Sequence, residues 1–123
     1  MRAKSLDTFC PLGPWIVTAD EIPGPQALSI GCTVSGTVLH SASAADMILG
    51  VAELIAPLSH SFTLEPGDLL ATGTPPGVGW FRKPGRILRD GNEVVVTIGQ
   101  IGELLSPVRA TGGPAASTLV GPI

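Results

Sequence analysis

Residues 63–79 constrain this chain more than any other stretch, because their prolines fix φ and their glycines mark places where the backbone turns or is closely approached. They read Thr63-Leu-Glu-Pro-Gly-Asp-Leu-Leu-Ala-Thr-Gly-Thr-Pro-Pro-Gly-Val-Gly79. Pro66-Gly67 suits the two central positions of a type II turn: proline presets the first φ and glycine accepts the positive second one. Leu69 to Ala71 is too short for a helix and too apolar for a loop, which predicts a short core strand. Thr72-Gly73-Thr74 then offers two hydroxyls around a residue with no side chain. Gly73 lets a ligand approach the backbone, and Pro75-Pro76 stiffens the loop on its C-terminal side. Such a loop can hold a small anion, a carboxylate for example, through threonine hydroxyls and backbone N–H groups. It equally suits a stiff surface turn. A nucleotide loop is disfavoured, since the stretch lacks a Gly-Lys-Ser/Thr ending and prolines replace phosphate-facing N–H groups.

The 123 residues fit one domain. Charged residues are 14% of the chain, against about 25% in typical soluble domains, and the mean hydropathy is +0.41. Little polar surface is available, so apolar surface is expected to seek a partner, and a homo-oligomer is predicted. A net charge of −3 and a pI near 5.1 give no basic footprint for nucleic acid. No apolar run approaches the ~18 residues that suggest a membrane span, and Met1-Arg-Ala-Lys-Ser-Leu-Asp does not read as a secretory signal. Cys10 and Cys32 are too few for a disulfide framework and point to thiols in a cytoplasmic protein.

Cys10-Pro-Leu-Gly-Pro-Trp15 is punctuated like a rigid loop. Cys10 has no recognisable histidine partner and reads as a packed thiol rather than a nucleophile. Residues 15–18 predict a short strand leading into the Asp20-Glu21 turn, whose acidic pair is either solvated or a metal ligand set. Leu28, Ile30, Cys32 and Val34 alternate as in a half-buried strand. Ser35-Gly36 turns the chain and Thr37-Val-Leu-His40 returns as the second arm of a hairpin. His40 reads as a surface strand residue, and His60 as part of a polar loop. One main helix is predicted from Ala44 to about Ala56. Ser43 and Asp46 form its capping box, and Met47, Ile48, Val51, Leu54, Ile55 and Leu58 form an apolar face packed on the core. Pro57 is expected to end it.

Leu88-Arg-Asp-Gly-Asn-Glu-Val echoes Leu64-Glu-Pro-Gly-Asp-Leu-Leu, which predicts two turns that each launch a strand. Glu93 to Ile98 is rich in β-branched residues, and Gly99-Gln100 suits a type II′ turn into Ile101–Leu105. The small, unpatterned residues at the C-terminal end predict a flexible tail over 109–123.

Two of these stretches carry a resemblance. The segment 63–79 resembles the signature of the fumarylacetoacetate hydrolase family. Lys4-Ser-Leu-Asp-Thr-Phe-Cys-Pro-Leu-Gly-Pro-Trp-Ile-Val-Thr-Ala-Asp-Glu-Ile-Pro23 resembles a second stretch of that family, in the same order. The likeness covers roughly residues 2–108, the C-terminal half of the family's catalytic domain. It implies an α+β fold, mostly β: a mixed β-sheet roll with one main helix. It further implies action on 2-oxo acids or β-diketone-like acids by hydrolysis, decarboxylation, hydration or isomerisation, with Mg2+ or Mn2+. Lys4 matches the lysine that stabilises the oxyanion or enolate. Thr72, Gly73 and Thr74 match the loop that holds the substrate carboxylate, with Thr74 the family threonine.

The family draws its metal ligands from a Glu-x-Glu element and an aspartate upstream of that lysine, and neither occurs in this chain. Ser35-Gly36 stands where the family has Asn-Gly, and Leu105-Ser106 where it has Arg-Asn. The resemblance is therefore compatible with two expectations. One is an enzyme of the family whose missing half comes from another chain. The other is a non-catalytic, self-associating module.

Overall fold

A computed structural model describes residues 6–110. Its centre is a four-stranded antiparallel sheet in the order β2-β1-β3-β4. Strand β1 (Ser29–Val34) pairs with β2 (Thr37–Ser43) on one side and with β3 (Glu93–Ile98) on the other, and β4 (Gly102–Pro107) closes the edge beyond β3. The fold is α+β and mostly β, as the sequence implies. Every pairing among the described residues is antiparallel, so the parallel component of a mixed sheet is not found among them.

The first hairpin forms as expected. Ser35 (φ 47°) and Gly36 (φ 78°) are both left-handed, the backbone that a right-twisted two-residue hairpin requires. The second hairpin differs from its prediction. Its positive φ falls on Gln100 (66°) and not on Gly99, and Ile101 N donates to Ile98 O at 3.0 Å, so a type II′ turn is excluded.

The echo between the two Gly-containing turns is real in geometry. Asp68 N donates to Glu65 O and Asn92 N to Arg89 O, at 3.1 and 3.0 Å. In each turn the last side chain bonds back to the first N–H, Asp68 Oδ2 at 2.9 Å and Asn92 Oδ1 at 2.8 Å. Only the second launches a paired strand. Residues 69–71 stay unpaired and exposed, with Leu69 at 72%, which corrects the predicted core strand. Residues 15–18 form no strand either, and none of the described backbone pairs with them.

Asn92 also donates through Nδ2 to Ser35 Oγ at 3.2 Å, tying the turn before β3 to the tip of the first hairpin. Asn92→Ala removes both side-chain bonds and is expected to lower stability by ~1–2 kcal/mol. A urea titration with an unchanged slope and a lower midpoint would show it.

The helix is displaced from its prediction. The Ser43–Asp46 capping box forms, with Ser43 N donating to Asp46 Oδ2 at 3.2 Å, but it caps only the 3-10 turn Ala44–Asp46. Met47 then turns extended, and α1 (Val51–Ser61) begins after Gly50, whose N–H donates to Glu53 Oε2 at 2.7 Å. Pro57 does not end α1 but lies within it. The N–H it lacks would have met the Glu53 carbonyl, and Glu53 is exposed to water that can take its place. His60 belongs to the last turn of α1 and not to a loop.

The apolar stripe of this region packs less than expected. Val51, Leu54 and Leu58 are half-buried, while Ile48 is 98% exposed. Among the described residues, the buried hydrophobic core is Ile22, Leu28 and Ala44, joined by Val17, Ile30, Ile98 and Ile101 at one end of the sheet. Cys32 is half-buried, and that burial pushes its thiol pKa up. Cys10 is exposed, which corrects its reading as a packed thiol. Of the tail expected over 109–123, residues from 111 onward lie outside the described residues, and Ala110 N donates to Asp90 Oδ1 at 2.9 Å. No described helix is long and apolar enough to cross a membrane.

Candidate active site

The glycine-rich stretch is held to the sheet at one place on β2. In the β1–β2 ladder Cys32 faces His40 and Thr33 faces Val38, so Leu39 is an extra residue in β2. Such a bulge releases a carbonyl from the ladder and re-aims its neighbours. His40 Nδ1 bonds to Pro76 O at 3.0 Å. Arg82 Nε donates to Gly77 O at 3.0 Å, and its Nη2 donates to Leu39 O. The 3-10 turn Gly79–Phe81 brings the chain back so that Arg82 can reach both carbonyls. Gly77 (φ 114°) fits between these groups, and a Cβ there would lie 2.6 Å from Leu39 O.

Above this anchor Thr72, Gly73 and Thr74 stand exposed. Gly73 has φ 104°, and a Cβ on it would meet nothing within 4 Å, so the approach to this backbone is open. Thr74 Oγ1 makes only a 3.3 Å bond to Pro75 O. Two hydroxyls and the adjoining N–H groups can donate to a small carboxylate. Thr72, Gly73 and Thr74 follow one another on this exposed loop, while Lys4 lies outside the described residues.

Sequence reasoning missed His40 and Arg82. The only signal for either was a polar residue beside a hairpin and an arginine a few residues beyond the glycines.

Two hollows lie elsewhere, and Thr72, Gly73 and Thr74 line neither. The larger, about 830 Å3, has Val94, Val96, Ile98 and Leu104 as its floor and the loop from Thr8 to Trp15 as its wall. Trp15 pins that loop, its Nε1 donating to Ile101 O at 2.9 Å. The smaller hollow, about 270 Å3, lies by the first hairpin between Thr37 and Arg86.

The chain's histidines, cysteines, aspartates and glutamates all lie among the described residues, and no three of them cluster as a metal site would require. Asp20 and Glu21 sit in an exposed turn where the Thr18 hydroxyl, with the Asp20 backbone N–H, holds the Asp20 carboxyl below its usual range. These residues by themselves do not fit Mg2+ or Mn2+.

Residues 1–109 match the model of the fumarylacetoacetate (FAA) hydrolase C-terminal family. The chain belongs to the fumarylacetoacetate hydrolase family. A mitochondrial oxaloacetate tautomerase of Rattus norvegicus is 48% identical over 108 residues, covering 88% of this chain and 34% of that protein. A fumarylacetoacetate hydrolase structure from Exiguobacterium antarcticum superposes with a TM-score of 0.85 at 43% identity, covering 89% of this chain and 39% of that one. A Sphingobium maleylpyruvate hydrolase in complex with manganese(II) and pyruvate superposes with a TM-score of 0.78 at 40% identity, covering 86% and 38%. The chain thus spans about a third of the length of the curated relative and two fifths of the solved ones. The cytoplasmic location expected from composition is corrected by the tautomerase, which is described as mitochondrial.

Proposed function

We propose that this family member contributes the carboxylate-binding side of an active site for 2-oxo acids. Thr72-Gly73-Thr74 receives the carboxylate, and Lys4 stabilises the negative charge that develops on the neighbouring oxygen. The carrying observation is a solvent-open Thr-Gly-Thr loop whose base is fixed to β2 by side-chain bonds, so its donors are held in one arrangement before a ligand arrives. The manganese and pyruvate in the Sphingobium relative support a small 2-oxo acid as ligand, and support a divalent metal in a complete site of this kind. Metal ligands would have to come from polypeptide beyond this chain's described residues.

Oxalate, whose two carboxylates imitate a planar enolate of a 2-oxo acid, is the direct probe. In a metal-free NMR titration it is expected to shift the Gly73 and Thr74 amides with a Kd of about a millimolar. Lys4→Ala is expected to abolish the response. Shifts confined to other residues would refute this reading.

A second reading, a self-associating module, is favoured by the surface. Phe9 and Leu12 are 56% and 59% exposed on the wall of the 830 Å3 groove, and Trp80 and Phe81 are 74% and 81% exposed. A second copy of the chain covering such faces would form dimers or higher oligomers. Light scattering across a concentration series is expected to show them, and a monomer at every concentration would exclude this reading.

A further inference from the structure

We propose that His40 and Arg82, acting at the β2 bulge, are positioning residues for Thr72-Gly73-Thr74. Their role rests on the reading of that loop as a carboxylate cradle.

Between Thr74 and the 3-10 turn at Gly79–Phe81 the loop has few means of holding itself. Pro75 and Pro76 have no N–H to donate, and Gly73 and Gly77 have no side chains. What fixes it comes from outside. Pro76 O can only accept, so Nδ1 of His40 carries the proton in the 3.0 Å bond, whether the ring is neutral or cationic. Arg82 spans two carbonyls on different segments, Gly77 O in the loop and Leu39 O in the bulge, using two separate nitrogens of its planar fork where a lysine would have to reach both from one.

The bulge is the third part of the device. Leu39 is the extra residue, with no partner in the β1 ladder, and its carbonyl accepts from Arg82. Gly77 completes the fit, because its missing Cβ lets the loop backbone come against Leu39 O and His40 Nδ1. The three parts set where the Pro75–Gly77 backbone lies, and hence where the donors of Gly73 and Thr74 point.

His40→Ala, His40→Asn, His40→Gln and Arg82→Lys separate positioning from mere bulk. Asparagine places an N–H donor where Nδ1 stood, whereas glutamine places its donor where Nε2 was. Amide hydrogen exchange of the free protein is read at Phe81 and Arg86, whose N–H groups donate to Val78 O and Gly79 O at 3.1 and 2.7 Å beside the Arg82 contacts, and oxalate affinity is read by NMR. His40→Ala, His40→Gln and Arg82→Lys are expected to speed exchange at these amides roughly tenfold and to weaken oxalate roughly fivefold. His40→Asn is expected to keep both near wild type, and the β3 and β4 amides should stay unchanged throughout. Should His40→Ala unfold, the Asn and Gln variants carry the comparison.

Equal exchange in wild type and His40→Ala, or an asparagine variant no better than the glutamine one, would overturn the clamp. If oxalate fails to shift Gly73 and Thr74 in the wild type, the cradle reading fails by itself and the exchange rates still decide the clamp.

Discussion

Gly77→Ala is expected to destabilise the protein by about 3 kcal/mol if the glycine-rich loop stays on β2, or to abolish oxalate binding if the loop lifts off instead. Two effects combine. A φ of 114° is a conformation that a residue with a Cβ rarely adopts, and that Cβ would sit 2.6 Å from Leu39 O and 3.3 Å from His40 Nδ1. Leu39 O is backbone within a sheet strand and cannot move aside as a side-chain tip would. Gly73→Ala is the matched control. Its φ of 104° is similarly unfavourable, but the added Cβ meets nothing within 4 Å. That variant should show the torsional cost alone, about 1–2 kcal/mol. Thermal unfolding of both variants, with the Thr74 amide shift as a local report, measures the difference.

Gly102→Ala should have the next largest effect, at the opposite edge of the sheet. Gly102 opens β4 with φ 133°, and a Cβ there would lie 2.6 Å from Cζ2 of Trp15. The indole cannot easily swing away, since its Nε1 is bound to Ile101 O at 2.9 Å. The substitution is therefore expected to break that bond and to release the 8–15 loop from the β3–β4 face. The combined strain and lost bond come to ~2–3 kcal/mol. The Trp15 indole N–H resonance is the readout: it should move toward its solvent-exposed position in Gly102→Ala. An unshifted indole resonance with unchanged stability would show that the ring adapts without losing its anchor.

Turn chemistry was legible from residues alone. Pro66-Gly67, Ser35-Gly36 and the Asp-Gly-Asn before Glu93 all turn where expected, with positive φ at Gly67, Gly36 and Gly91. The hairpin strands were legible too, because alternation and β-branching act over a few residues. The family was legible in the two long stretches that bear its signature. The candidate site was legible only as a loop, Thr72-Gly73-Thr74. Its supports, His40 and Arg82, are separated by more than forty residues and show no shared pattern along the chain.

The two echoing turns mark where local information ends. Glu65–Asp68 and Arg89–Asn92 close with the same pair of bonds, yet β3 comes after one and an unpaired, exposed segment after the other. A turn is made from its own four residues and their nearest φ and ψ. A strand exists only if another backbone lies alongside to receive its N–H and C=O groups. For residues 93–98 that backbone is β1 on one side and β4 on the other, while none of the described residues provides one for 69–71. The helix shows the same division. The Ser43–Asp46 capping box can be read from the sequence, but whether the helix continued past Asp46 or restarted at Gly50 was decided by structure. There Ala44 is packed against Leu28, with its N–H bound to Leu28 O at 2.8 Å, and the chain turns extended at Met47. The sequence by itself thus determined the family, the places where the chain turns and the hairpin strands. The tertiary structure alone decided which apolar segments found partners and which two side chains hold the threonine loop, because both depend on what distant residues bring within bonding distance.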